Sequence, residues 1–220
     1  EPPEEGQCPL DKEEKVAWTK AGSMVAEEAV ERVTNVGKFE SDRATQLTEG
    51  VAEERARDKR IPEIGESFMK RLGNQLGYGH PLSMQTSEYE FTWTPEAEAR
   101  LSDIPEFCRE MTRWRVEWTA VKKELGFVIT PEIMDAKYEM WGEVSDDIMN
   151  REDRDGIEWA PDTMGRLEKI PDFVKGQVIQ SVEGNARQWG IELIDNSVLD
   201  RVISKWIDTG DFHEGKYGYK

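Results

Sequence analysis

Cysteine and histidine are almost missing from this chain, with two of each in 220 residues. Cys8 lies in a Pro/Glu-rich N-terminal stretch and Cys108 follows Phe107 in a helical pattern, so the pair gives neither a disulfide framework nor metal-ligand spacing. Two thiols are too few for a four-cysteine iron–sulfur cluster. His80 and His213 sit in glycine-rich connectors with no second ligand at helical spacing, and no Ser-His-acid signature accompanies them. A glycine-rich phosphate loop of the P-loop or dinucleotide type is also lacking. Basic charge is short: 29 Lys and Arg face 46 Asp and Glu, for a net charge of -17. Such a chain cannot neutralise phosphates, which argues against nucleic acid and against anionic membrane surfaces as partners. No apolar run approaches the length of a membrane span. No signal peptide is legible. The chain opens at Glu1 without a methionine, compatible with a removed presequence, so the compartment stays open with a cytoplasmic location favoured.

What the chain does contain is one pattern written three times. Leu167-x-x-Ile170-Pro171-x-Phe173, followed by Glu183-x-x-Ala186, repeats Leu101-x-x-Ile104-Pro105-x-Phe107 followed by Glu117-x-x-Ala120 without a gap. A worn copy lies upstream as Val33-x-x-Val36-Gly37-x-Phe39 followed by Glu49-x-x-Ala52. Internal repetition decides what counts as a folding unit, and it moves the functional expectation towards surfaces rather than a single active site. At 37% hydrophobic and 34% charged residues, the composition is polar for one core but natural for three small modules.

The second copy shows the local logic. Thr94 can cap a helix, Pro95 suits its first position and Glu96 complements its dipole. Pro105 ends that helix and opens another, whose apolar residues Met111, Trp114, Trp118, Val121 and Leu125 form one stripe, with Gly126 as its C-terminal cap. Thr130-Pro131 starts a third helix that runs to Trp141-Gly142. Trp159-Ala160-Pro161, Pro171, Gly190 and Asp195 repeat this script in the third copy, while the first has a longer leading helix beginning after Trp18. No segment alternates with period two. The expected fold is therefore all-α: a tandem array of three small three-helix modules, the first degenerate, stacking on one another between flexible termini. Its units are a disordered tail at 1–15, repeats at 16–76, 90–142 and 157–207, and a flexible tail at 208–220. The acidic connector after Gly142 ends in Asp155-Gly156 but fails as a calcium loop, because Arg151 takes the first ligand position.

The motif Trp-x-Pro-x-Ala/Thr-x-x-x-Leu-x-x-Ile-Pro-x-Phe-x9-Glu-x-x-Ala, followed by a glycine and an Ile-led helix, resembles a small helical domain. That domain closes the B subunit of the light-independent protochlorophyllide reductase and also occurs as a free-standing or repeated module. Residues 159–206 match it best, 93–141 well and about 25–72 marginally. The resemblance implies the helical module and a habit of packing against a redox complex. It does not imply the reductase chemistry, whose cluster ligands and main pocket belong to a larger portion that has no counterpart here.

Phe39, Glu49, Leu101, Pro105, Phe107, Glu117, Leu167, Pro171, Phe173 and Glu183 are read as structural motif positions. Each repeated Glu is expected to accept hydrogen bonds from the start of the third helix or from an Arg, since an unpaired buried charge is too costly to keep three times. Of the eight tryptophans, Trp93/Trp159 and Trp141/Trp206 are equivalent pairs at module ends and read as core or inter-module packing, and Trp114 and Trp118 as core. Trp189 has no counterpart and is the candidate contact surface, together with Phe212, Tyr217 and Tyr219 of the C-terminal tail. No catalytic, cofactor or metal residue is assigned. The expected function is a non-catalytic accessory or scaffold protein that assembles a larger complex, with a redox metalloenzyme such as a tubule-forming nitrite oxidoreductase as the specific candidate, and with self-association open. The alternative is a tetrapyrrole-binding or carrier module.

Overall fold

The computed structural model describes residues 16–83, 89–150 and 157–211. Among these, one order of elements recurs in three segments: a two-residue strand, two helices, a second two-residue strand and a third helix. The first segment comprises β1 (Ala17–Trp18), α1 (Lys20–Asn35), α2 (Ser41–Asp58), β2 (Glu63–Ile64) and α3 (Glu66–Gln75). The second comprises β3 (Thr92–Trp93), α4 (Pro95–Ser102), α5 (Glu106–Lys122), β4 (Val128–Ile129) and α6 (Pro131–Met149). The third comprises β5 (Glu158–Trp159), α7 (Pro161–Leu167), α8 (Asp172–Gln188), β6 (Leu193–Ile194) and α9 (Asn196–Thr209). The protein is mostly helical, as the sequence led us to expect.

The strands are an addition to that expectation. Each pair is parallel, and its register sets a tryptophan beside an isoleucine: Trp18 with Ile64, Trp93 with Ile129, Trp159 with Ile194. The residue after each tryptophan donates its N–H to that isoleucine's carbonyl at 2.9–3.0 Å, so the same clasp closes all three segments. Two residues are too few to register as alternation in a sequence. Helix entry follows the capping chemistry: the Thr19 and Thr94 hydroxyls accept from Gly22 and Ala97, and Asp195 accepts from Ser197 and Val198. Pro105 and Pro171 occupy the positions just before α5 and α8. The middle helices end with a backbone bond back to an alanine carbonyl: Ile61 to Ala56, Leu125 to Ala120, Ile191 to Ala186. The left-handed residue this ending requires is Arg60, Glu124 and Gly190 in turn, so Glu124, not Gly126, caps α5.

Those alanines also correct the register of the first segment. The residues matching Ala120 and Ile129 are Ala56 and Ile64, and the one matching Glu117 is Glu53, one helical turn beyond Glu49. Both Glu49-x-x-Ala52 and Glu53-x-x-Ala56 satisfy the written pattern, and a stripe that returns each turn cannot distinguish them. With that shift the first segment carries every element of the others, plus a leading helix of 16 residues against 8 and 7. Two boundaries move as well. α6 runs past Gly142 to Met149, because Ser145 and Ile148 of the extra turns are buried. α9 reaches Thr209, and Thr209 and Asp211 are buried, so the supposed C-terminal tail is packed through residue 211.

Each segment has its own apolar cluster, around Val51, Ile64 and Met69 in the first, Val116, Ile129 and Met134 in the second, and Val182, Ile194 and Val202 in the third. The segments do not simply run in series, since the first touches the third as well as the second. Between first and second, Leu47, Tyr78 and Trp114 form a further cluster joined by Phe39 and Trp118. Between second and third, α6 lies along α8, Gly176 abuts the Ser145 backbone, and Tyr138 stacks on Phe173 with centroids 4.0 Å apart. Between third and first, α9 lies along α2 with Gly50 against the carbonyl of Asp208. Arg43 ties all three together, pairing with Glu110 and donating to the Ile207 carbonyl.

Candidate functional site

The repeated carboxylate has a specific partner. The indole Nε1–H of Trp93 donates to Glu117 at 3.0 Å, that of Trp159 to Glu183 at 3.1 Å, and that of Trp18 to Glu53 at 3.3 Å. The donor is thus the strand tryptophan of the same segment, rather than the third helix. Arg187 lies 3.5 Å from Glu183 and Arg57 lies 3.5 Å from Glu53, both one turn further along the helix. Burial pushes the Glu117 carboxyl above the ordinary range, against the opposing influence of the Trp93 hydrogen bond and of Lys38 and Arg113. A hydrogen bond to an ionised acceptor contributes about 1.5–3 kcal/mol. These glutamates therefore act as latches between strand and middle helix.

The residue one turn before each latch differs, and that difference shapes the surface. In the second segment it is Arg113, whose guanidinium lies 4.5 Å from the Trp93 ring centroid and pairs with Glu98 of α4 at 2.7 Å. In the third it is Ile179, buried in the core. In the first it is Glu49, exposed at the rim of an open trough of about 770 Å³ between α1 and α2. Trp18, Ala26 and Val30 supply the trough's apolar lining, while Glu27, Glu31, Glu49 and Glu53 supply four carboxylates. It exists because α1 continues past the point where α4 and α7 end. From Ser23 to Asn35 the α1 wall is about 18 Å long at 1.5 Å per residue. No cation lies over the Trp18 ring among the described residues, in contrast to Trp93.

The remaining sequence-derived positions serve packing. Leu101 and Leu167 are buried in their own clusters. The three motif phenylalanines reach across to other segments: Phe39 meets Trp114 edge-on, Phe107 stacks on Trp206 at 5.9 Å, and Phe173 stacks on Tyr138 and Trp141. Trp114 and Trp118 likewise belong to the contact between first and second segments. Trp189 is half-buried, with the Arg201 guanidinium 3.9 Å from its ring centroid. Phe212, Tyr217, Tyr219, His213 and Cys8 lie outside the described residues, as does Asp155-Gly156.

His80 is fully buried. Its Nδ1 accepts from the Leu82 N–H at 3.1 Å, so Nε2 carries the proton and donates to the Thr209 carbonyl at 2.9 Å. Burial holds its pKa down at about 4, so at neutral pH the ring is a neutral structural pin with both nitrogens engaged. The Cys108 thiol is pushed up to about 12 by burial, which removes it as a nucleophile. Burial and the nearby Arg115, Lys122 and Lys123 bring Lys137 down to about 8, with its ammonium 4.6 Å from the Trp141 ring centroid. No group of three or more His, Cys, Asp or Glu side chains suited to a metal ion occurs among the described residues. No helix among them is long and apolar enough to cross a membrane. Compared with known proteins, the chain matches no family model, no curated protein and no solved structure.

Proposed function

We propose that the three segments are tandem copies of one helical module and that the chain is a non-catalytic scaffold that docks protein partners and promotes their assembly. The trough between α1 and α2 carries this reading. It is partly open to solvent and flanked by two helices, a shape that suits a segment of another protein. The packing agrees with it: the aromatic side chains that could line a small-molecule pocket are instead used to join the segments. The resemblance to the protochlorophyllide reductase domain makes a redox metalloenzyme complex the candidate partner, with a nitrite oxidoreductase tubule as the specific case. Several related faces on one chain would raise the effective concentration of bound subunits.

Native co-purification tests this directly. Recovery of the chain in a stoichiometric complex with a larger enzyme is the expected result, and recovery solely as free monomer would remove the basis of the proposal. The tetrapyrrole-carrier alternative has weaker support, because four glutamates line the trough and oppose pigment carboxylates. A shifted Soret band on adding haem would restore it.

A further inference from the structure

We propose that the trough of the first segment receives an arginine side chain from a partner protein's helix, seated over Trp18 and between the carboxylates of α1 and α2. The molecule contains its own template for this contact. In the second segment the strand tryptophan and a glutamate of the leading helix hold Arg113, whose guanidinium both faces the Trp93 ring and pairs with Glu98, while the charge of the latch Glu117 attracts it. A guanidinium suits this place because it is planar, stacks on an indole and forms forked bonds to a carboxylate.

The first segment keeps the tryptophan and the latch but has removed the arginine. Glu49 stands at the position of Arg113, and Ser23 at that of Glu98, five residues after the tryptophan. Among the described residues no cation lies on the Trp18 ring where it lines the trough; Glu27 stands at the position of Ser102, and the lengthened α1 adds Glu31 along the same wall. Glu27, Glu31 and Glu49 form no ion pair among the described residues, so their charge is available to an incoming cation. About three turns separate a partner's first contact at Trp18 and Glu53 from the Glu31 end, which fits basic residues spaced along a helix. The proposal rests on the scaffold reading for the partner being a protein, and adds the chemistry by which that protein is recognised.

The test uses the full chain and an alanine-based helical peptide with arginines one turn apart, followed through the Trp18 indole N–H resonance assigned by Trp18→Phe. Saturable binding that shifts this resonance, weakens with added salt and weakens at least tenfold when citrulline replaces arginine is expected. The double variant Ser23→Glu, Glu49→Arg rebuilds the arrangement of the second segment and should fill the trough from within. It should lose the peptide while keeping the wild-type circular dichroism and melting temperature, and the single variant Glu49→Gln should weaken binding several-fold. Equal binding of the citrulline peptide, an equal response to spermidine, or unchanged binding by the double variant would each overturn the proposal. If the double variant also leaves the native complex, the trough is the docking site. If the complex persists with the trough filled, this inference falls while the scaffold reading stands.

Discussion

The two long helix contacts that close the molecule use the same device in opposite surroundings. Where α6 meets α8, Gly176 brings the helices so near that an added Cβ would sit 2.5 Å from the Ser145 carbonyl oxygen. Where α2 meets α9, Gly50 does the same, with its Cβ position 2.4 Å from the Asp208 carbonyl oxygen. Around Gly176 lie stacked rings: Tyr138, Trp141 and Phe173. Around Gly50 lie charges: Arg55 with Asp211 at 2.6 Å, and the buried Lys205 with Glu54 at 3.3 Å and Asp58 at 3.6 Å. Burial raises the Glu54 carboxyl, but Lys205 and Arg57 together outweigh it and leave the group below its ordinary range. Close approach is therefore set by a glycine in both places, while the flanking chemistry decides what conditions each contact tolerates.

The contrast can be broken most forcefully on the aromatic side. Phe173→Ala should cost about 3 kcal/mol, read from urea unfolding, and the loss should be the same at low and high salt. Acid should act on the other contact. His80 titrates at about 4 in the folded chain against 6.5 unfolded, so the unfolded state binds more protons between those values. The stability this pin contributes is complete above pH 6.5 and disappears as pH falls to 4, a change of about 3 kcal/mol. His80→Gln should flatten that part of the pH–stability curve, and an unchanged slope would contradict the assignment. Gly176→Ala and Gly50→Ala should each cost about 1–3 kcal/mol by forcing backbones apart. Gly176 should be the costlier, since its added Cβ would also meet the Ser145 Cα at 2.8 Å and Oγ at 2.9 Å. The smallest effect sharpens the comparison: Arg55→Gln should cost about 1 kcal/mol or slightly more in dilute buffer and less in high salt, whereas Tyr138→Phe should show no salt dependence.

Much of this architecture was legible in the sequence, and the limits have physical causes. Threonine and proline at helix starts, and the apolar stripes between them, gave the helices, because those signals depend on neighbours within one or two turns. The Trp–Ile clasp joins residues 35 to 46 positions apart, beyond the reach of local pattern. The extension of α6 past Gly142 was hidden for a related reason: a glycine costs an isolated helix about 1 kcal/mol, and packing of Ser145 and Ile148 offsets it. The recurring phenylalanines were legible as structural motif positions, but not that Phe39, Phe107 and Phe173 all reach another segment. The trough was not legible, because it arises from the length of α1, and the written pattern set Glu49 at the latch rather than one turn before it, at the position of Arg113.

The crossing of Phe107 to Trp206 and of Phe173 to Trp141 has a consequence beyond this chain. Each segment lends the other the same ring and accepts the same ring in return, which is the self-complementary exchange that two separate molecules make about a dyad. A polypeptide holding one such unit would carry both halves of that handshake, so shortened versions of the protein should pair between chains rather than stand alone.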